Sequence, residues 1–179
     1  MSGWCERHGI GYVADVKIRS WLLYEQMDAH GHAIDMTLFP CPVCRNAYAS
    51  EGYCEEHKIG FVAKQAYFSR LTFELARAAK TDPRTIACPV CRKNSRAHGW
   101  CEKHQIGMVN DFAIQGRERY DQVAKAIDIL GAAERVSERC EHCALAIVTD
   151  SRCPFHKITY KDGHEVPAPE GAPAPATVR

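Results

Sequence analysis

Twelve residues at one repeated spacing constrain this chain more than any other feature. Cys41, Cys44, Cys54 and His57 follow the pattern Cys-x2-Cys-x9-Cys-x2-His. Cys88, Cys91, Cys101 and His104 follow it again, and Cys140, Cys143, Cys153 and His156 a third time. The first cysteines of successive sets lie 47 and 52 residues apart, close to a fixed period. A tetrahedral metal site needs four soft or borderline donors, and a Cys-x2-Cys turn aims two sulfurs at one point. Two such turns close one site. Three sets with identical internal spacing leave no room for coincidence, so the pattern predicts three Zn2+ ions per chain.

Other uses of these cysteines fit less well. Disulfides belong to oxidising compartments and do not account for a histidine at a constant position in every set. Thioredoxin-like chemistry needs the cysteine pair at a helix start within a βαβ unit, whereas the nine-residue spacer has the length of a β-hairpin that brings two knuckles face to face. Haem attachment needs a histidine directly after the second cysteine, where Arg45, Arg92 and Ala144 stand. An iron site of the four-cysteine kind has no use for the histidine, which argues for zinc.

The repeat extends beyond the ligands. Gly3-Trp4-Cys5-Glu6-Arg7-His8-Gly9-Ile10-Gly11 returns as Gly52-Tyr53-Cys54-Glu55-Glu56-His57-Lys58-Ile59-Gly60 and as Gly99-Trp100-Cys101-Glu102-Lys103-His104-Gln105-Ile106-Gly107. A degenerate fourth copy runs from Arg152 to Tyr160. Between clusters the apolar spacing is helical. Phe68, Leu71, Leu75 and Ala78 form one stripe on an Ala-rich segment that Pro83 stops, and Tyr120, Val123, Ile127 and Leu130 form another between Gly116 and Gly131. A less regular helix is expected from Ser20 to Ala29, with Trp21, Leu22, Tyr24 and Met27 as its apolar positions. These stripes read as core faces, not as a cofactor site.

The clusters resemble short zinc-ribbon modules of the form Cys-Pro-x-Cys, a hairpin, then aromatic-Cys-x2-Cys. Cys41-Pro42-Val43-Cys44 with Tyr53-Cys54, and Cys88-Pro89-Val90-Cys91 with Trp100-Cys101, carry the likeness. His57, His104 and His156 replace the fourth cysteine of such ribbons, and Arg45, Arg92 and Ala144 replace a glycine. The resemblance covers about a third of the chain and implies a structural metal with an interaction role.

The fold class expected is therefore a small metal-stabilised α+β chain of tandem zinc-ribbon or knuckle hairpins, each followed by an amphipathic helix. Residues 1–40 form a partial first repeat, 41–87 and 88–139 two complete repeats with helices, and 140–165 a terminal repeat. Residues 166–179, rich in Pro and Ala, read as a disordered or extended tail.

The first repeat is incomplete, because Cys5 and His8 have no Cys-x2-Cys pair before them. Three readings remain open: a chain that begins further upstream, a remnant or free pair, or completion by ligands elsewhere. The last would draw on another subunit or on His30 and His32, and would add a fourth ion. The bland reading of His30 and His32 is an exposed turn after a helix, and His98, His142 and His164 read as surface residues.

Composition narrows the function. The formal charge is +1, and nine thiolates remove nine charges while three Zn2+ return six, leaving about −2. Such a balance lacks the broad basic footprint of nucleic-acid binding. Arg45, Arg92, Lys93 and Arg96 beside the knuckles give that reading some support, but Trp4, Tyr53 and Trp100 are expected against the metal sites instead of stacking bases. No basic start leads into an apolar run, and no eighteen uncharged apolar residues follow one another, so neither an export signal nor a membrane span is expected. A cysteine-rich chain of this kind points to a reducing compartment, the cytoplasm. No nucleophile-base pair, phosphate loop or paired carboxylate motif stands out. The leading expectation is a non-enzymatic zinc protein that binds another protein, and the alternative is zinc storage or transfer.

Overall fold

The computed structural model describes residues 3–27 and 30–167. It is a small α+β fold in which all strand pairs are antiparallel. The first sheet is β1 (Gly3–Cys5), β2 (Ile10–Val13) and β3 (Val16–Ile18), followed by α1 (Trp21–Met27). Next come β4 (His32–Ala33), a 3-10 turn at Met36–Leu38, α2 (Pro42–Ser50), β5 (Tyr53–Cys54), β6 (Ile59–Val62), β7 (Gln65–Tyr67) and α3 (Arg70–Ala76). The third stretch holds β8 (Ala79–Lys80), α4 (Pro89–Asn94), β9 (His98–Cys101), β10 (Ile106–Val109), β11 (Phe112–Gln115) and α5 (Arg117–Ser137). The last holds α6 (Glu141–Val148), β12 (Thr159–Lys161) and β13 (His164–Val166). Sheet orders are β1-β2-β3, β4-β7-β6-β5, β8-β11-β10-β9 and β12-β13.

Four meanders thus share one backbone plan. The residue after each knuckle histidine, Gly9, Lys58, Gln105 or Lys157, is left-handed with φ between 50° and 60°. Ala14-Asp15, Ala63-Lys64 and Asp162-Gly163 are two-residue turns with positive φ at both positions, the geometry that matches strand twist in a tight hairpin.

The meanders use their two faces differently, because successive side chains on a strand point to opposite sides. Cys54, Ile59, Phe61 and Ala66 share one face and form a small core with Cys44 and Ala47 of α2. Tyr53 and Gly60 lie on the other face, under α3. There the Phe73 ring lies so close that a Cβ on Gly60 would overlap it. Gly11 under Tyr24 and Gly107 under Tyr120 repeat the arrangement. Opposite each glycine stands an aromatic residue, Trp4, Tyr53 or Trp100. Its ring packs on the helix ring at 5.3, 5.3 and 5.7 Å between centroids. The expectation that these three aromatics lie against the metal sites is corrected: strand alternation turns them away from the neighbouring cysteine and onto the following helix. In the fourth meander Arg152 and Thr159 take the aromatic and glycine places, and no helix follows among the described residues.

The helices depart from the sequence expectations in several places. The nine-residue spacers are not hairpins, since each Cys-x2-Cys pair starts a helix: α2, α4 or α6. Cys41 is the N-cap of α2 and Cys140 of α6, and each thiol accepts an amide from the second cysteine of its pair. Pro42 and Pro89 stand at the first helical position, where the missing N–H costs nothing. The Ala-rich segment expected to continue α3 turns into β8 instead, where Ala79 and Lys80 pair with Ala113 and Phe112. Here sheet pairing overrides a weak helical preference. Conversely, α5 runs past Gly131 to Ser137. In α1 the buried residues are Leu23, Tyr24 and Met27, while Trp21 and Leu22 are exposed. The end of that expected helix at 28–29 lies outside the described residues, as does the tail from 168, although Val166 belongs to β13.

A larger core surrounds α5, whose Tyr120, Val123, Ile127, Leu130 and Ala133 are buried. It gathers Val13 and Ile18 of the first meander, Leu71 and Leu75 of α3, and Ala144 and Ile147 of α6. Polar contacts hold the same joints. The buried Glu134 carboxylate accepts the Arg19 amide at 3.1 and 3.2 Å and its guanidinium at 3.1 Å, and the Ser20 hydroxyl donates to Glu141 at 2.7 Å. Glu74, also buried, is paired with Arg70 of its own helix at 3.2 Å and with Arg119 of α5 at 2.8 Å. Both buried carboxylates are therefore compensated by partner charges.

The glycine contacts yield a directional prediction. Gly60→Ala and Gly107→Ala force a methyl group into an aromatic ring and should each cost about 1–3 kcal/mol of stability. Gly131→Ala, where an added Cβ would meet nothing nearer than 3.7 Å, should gain up to about 1 kcal/mol from helix propensity. Thermal unfolding of the zinc-loaded variants checks the signs.

Candidate metal centre

Each cluster is assembled from a helix start and a knuckle. The helix supplies two sulfurs, the first from its N-cap and the second from its first turn. The strand end supplies the third, and the knuckle turn the imidazole. The donor atoms of Cys41, Cys44, Cys54 and His57 all lie within 4.8 Å of one another. The same holds for Cys88, Cys91, Cys101 and His104, and for Cys140, Cys143, Cys153 and His156. In each set the second and third cysteines are buried, the first is half-buried and the histidine is exposed.

The distances fit a tetrahedral ion. Zn–S bonds of about 2.3 Å and Zn–N bonds of about 2.0–2.1 Å imply S···N edges of about 3.6 Å. His57 Nδ1 lies 3.5 Å from both Cys44 and Cys54 Sγ. His104 Nδ1 lies 3.3 and 3.5 Å from Cys91 and Cys101, and His156 Nδ1 lies 3.2 and 3.7 Å from Cys143 and Cys153. All ten cysteines are free thiols. Three Cys3His sites with this donor chemistry are consistent with three zinc ions, and zinc supplies cross-linking between helix start and hairpin.

Electrostatics explain why a cation belongs there. Burial, reinforced by the neighbouring cysteines, pushes the Cys44, Cys91 and Cys143 thiols up to about 12. Amides at the helix starts act in the opposite direction on the outer cysteines: those of Cys44 and Cys91 hold the Cys41 and Cys88 thiols below the ordinary cysteine value. Burial also pushes the Cys153 thiol up, but the His156 amide, with Cys143 and the Phe155 amide, brings it down to about 6. Three thiolates in one such pocket need a divalent ion to offset their charge.

Local contacts hold the frame. Arg45 Nε donates to the Phe39 carbonyl at 3.0 Å, and Arg92 Nε donates to the Ile86 carbonyl at 2.9 Å. These two arginines, which sequence reading connected with nucleic acid, are thus committed to the chain entering each site. Of the surface histidines, His98 and His164 are exposed, while His142 is half-buried with its ring against Phe155 at 4.5 Å.

The incomplete set behaves differently. Cys5 Sγ and His8 Nδ1 lie 3.1 Å apart, so the knuckle is formed, but no third Cys, His, Asp or Glu joins them among the described residues. His30 and His32 are not brought to this pair. His32 lies in β4, paired with Ala66 of β7 and with its ring 5.6 Å from Phe68, so it belongs to the second sheet. His30 is exposed.

No protein-family model, curated protein or solved structure matches the chain.

Zinc binding must displace the protons of the raised thiols, which fixes the sign of its pH dependence. At pH 7 Cys44, Cys91 and Cys143 are protonated without metal, so each site should release at least one proton per zinc, and affinity should fall as pH drops from 7 to 5. Calorimetric titration in buffers of different ionisation enthalpy measures the release. Uptake without proton release would contradict this assignment.

Proposed function

We propose that this chain is a non-enzymatic zinc-stabilised scaffold whose helices and hairpins present a surface to another protein. The observation that carries the reading is the closure of three sites by four protein donors each. A tetrahedral ion so held has no open position for water or substrate. The placement of the sites supports it as well, since each one joins a helix start to a hairpin, and Cys143 and Cys153 belong to the main core. A cleft of about 450 Å³ has His57 among its lining, but its charged groups are engaged internally. Arg70 pairs with Glu55 and Glu74, and Lys125 with Asp162. Among the described residues no helix is long and apolar enough to cross a membrane.

Zinc storage or transfer is the second reading, favoured by one observation: His57, His104 and His156 are solvent-exposed, so one ligand of every site is open to a competing donor. Chelator competition separates the two. Structural zinc in small modules contributes roughly 10–16 kcal/mol of apparent binding energy, most of it realised as folding. A chromophoric chelator at neutral pH should therefore remove the three ions only as the helical circular dichroism signal is lost. If two or more ions leave while the helices persist, the metal-handling reading replaces the scaffold.

A further inference from the structure

The first meander carries half of a metal site, and among the described residues no Cys-x2-Cys helix covers it. Its backbone matches its siblings: β1 and β2 pair Cys5 with Ile10, as β5 and β6 pair Cys54 with Ile59 and β9 and β10 pair Cys101 with Ile106. Its Cys5–His8 separation of 3.1 Å compares with 3.5, 3.5 and 3.7 Å for the equivalent pairs Cys54–His57, Cys101–His104 and Cys153–His156. What differs is the cover. Cys54, Cys101 and Cys153 are buried beneath the helix that begins with the Cys-x2-Cys pair, whereas Cys5 is exposed.

A second, independent observation lies on the same face. Two residues beyond Ile10 stands Tyr12, which is 44% exposed. Its counterparts Phe61, Met108 and Tyr160 are 0%, 2% and 9% exposed, closed over by α2, α4 and α6. The opposite face of the first meander is complete, with Val13 and Ile18 buried in the main core. The bare face is therefore the one that a Cys-x2-Cys helix covers in every sibling. Lys17, cross-strand from Tyr12, stands where Ala66 and Ala113 do. A charge there is compatible with a complete site, because Glu165 holds the same place in the fourth.

We propose that Cys5 and His8 form an open divalent-metal half-site that takes the start of a Cys-x2-Cys helix from a second polypeptide, with Tyr12 and Ile10 as its apolar seat. This deepens the scaffold reading and rests on it, since it names the chemistry of a partner: two thiolates three residues apart on a helix start, joined to this chain through one shared zinc ion. Formation balances as Zn2+ uptake with release of the thiol protons to buffer.

The test uses the full chain loaded with three zinc ions and, as probe, a synthetic peptide of its own residues 39–52, which carry one such helix. One further equivalent of zinc is added, and native mass spectrometry counts ions and peptides. The expected result is one peptide and a fourth zinc per chain. Both are lost in Cys5→Ser and His8→Ala, which keep the other three ions, and both are restored in His8→Cys, which supplies another thiolate. Co2+ in place of the fourth zinc should show the visible absorption of tetrahedral sulfur and nitrogen ligation. The proposal is overturned if no fourth ion binds with peptide, or if Cys5→Ser leaves uptake unchanged. It is equally overturned if a fourth ion binds two copies of this chain with peptide excluded. Any of these results leaves the chelator experiment standing, so the scaffold reading fails only on its own test.

Discussion

The convergence of three thiols and one imidazole on a single point governs the rest of this structure. Second cysteines buried with thiols near 12 would resist ionisation, and a divalent ion removes that resistance by offsetting the charge. Because the four donors come from a helix start and a hairpin knuckle, binding the ion also fixes the angle between the two elements. Short elements of this kind, with strands of two to four residues and α4 of six, have little chance of holding together by burial alone. In the second and third meanders metal closure on one face leaves the other face free to pack against the following helix.

That second face shows how the repeats become one body. A ring from the following helix lies across a bare glycine, beside an aromatic residue on the neighbouring strand, in three of the four meanders. The helices so placed bury further apolar residues, among them Leu23, Met27, Leu71 and Leu75, in a common core about α5. The first meander closes on α5 and α6 through Glu134 and Glu141, so the two ends of the repeat series meet. The metal face of the second meander stands apart with its own small core, linked to the main body through α3 and the Arg70–Glu74–Arg119 charges.

The ligands were legible because metal coordination is written in sequence spacing, and the structure gathers all twelve. The α5 stripe was legible for the same reason, as a period of burial. Other features depend on partners distant in sequence. The Ala-rich end of α3 becomes a strand only because β11 lies beside it. The recurring glycines at 11, 60 and 107 are visible as a repeat, but their purpose needs the rings of Tyr24, Phe73 and Tyr120. The helical starts of the cysteine pairs left a signal that a hairpin reading overrides: Pro42 and Pro89 at the first helical position, behind a cysteine able to cap. His30 and His32 illustrate the limit of proximity in sequence, since β4 carries His32 into the second sheet and away from Cys5.

The central claim is that three ions are each held by three cysteine sulfurs and one histidine nitrogen. Zinc K-edge X-ray absorption of the purified protein, combined with metal analysis, measures it directly. The account predicts three zinc ions per chain, with an average shell of three sulfurs at about 2.3 Å and one imidazole nitrogen at about 2.0–2.1 Å. A shell of four sulfurs, or of two sulfurs with additional oxygen scatterers, would contradict it.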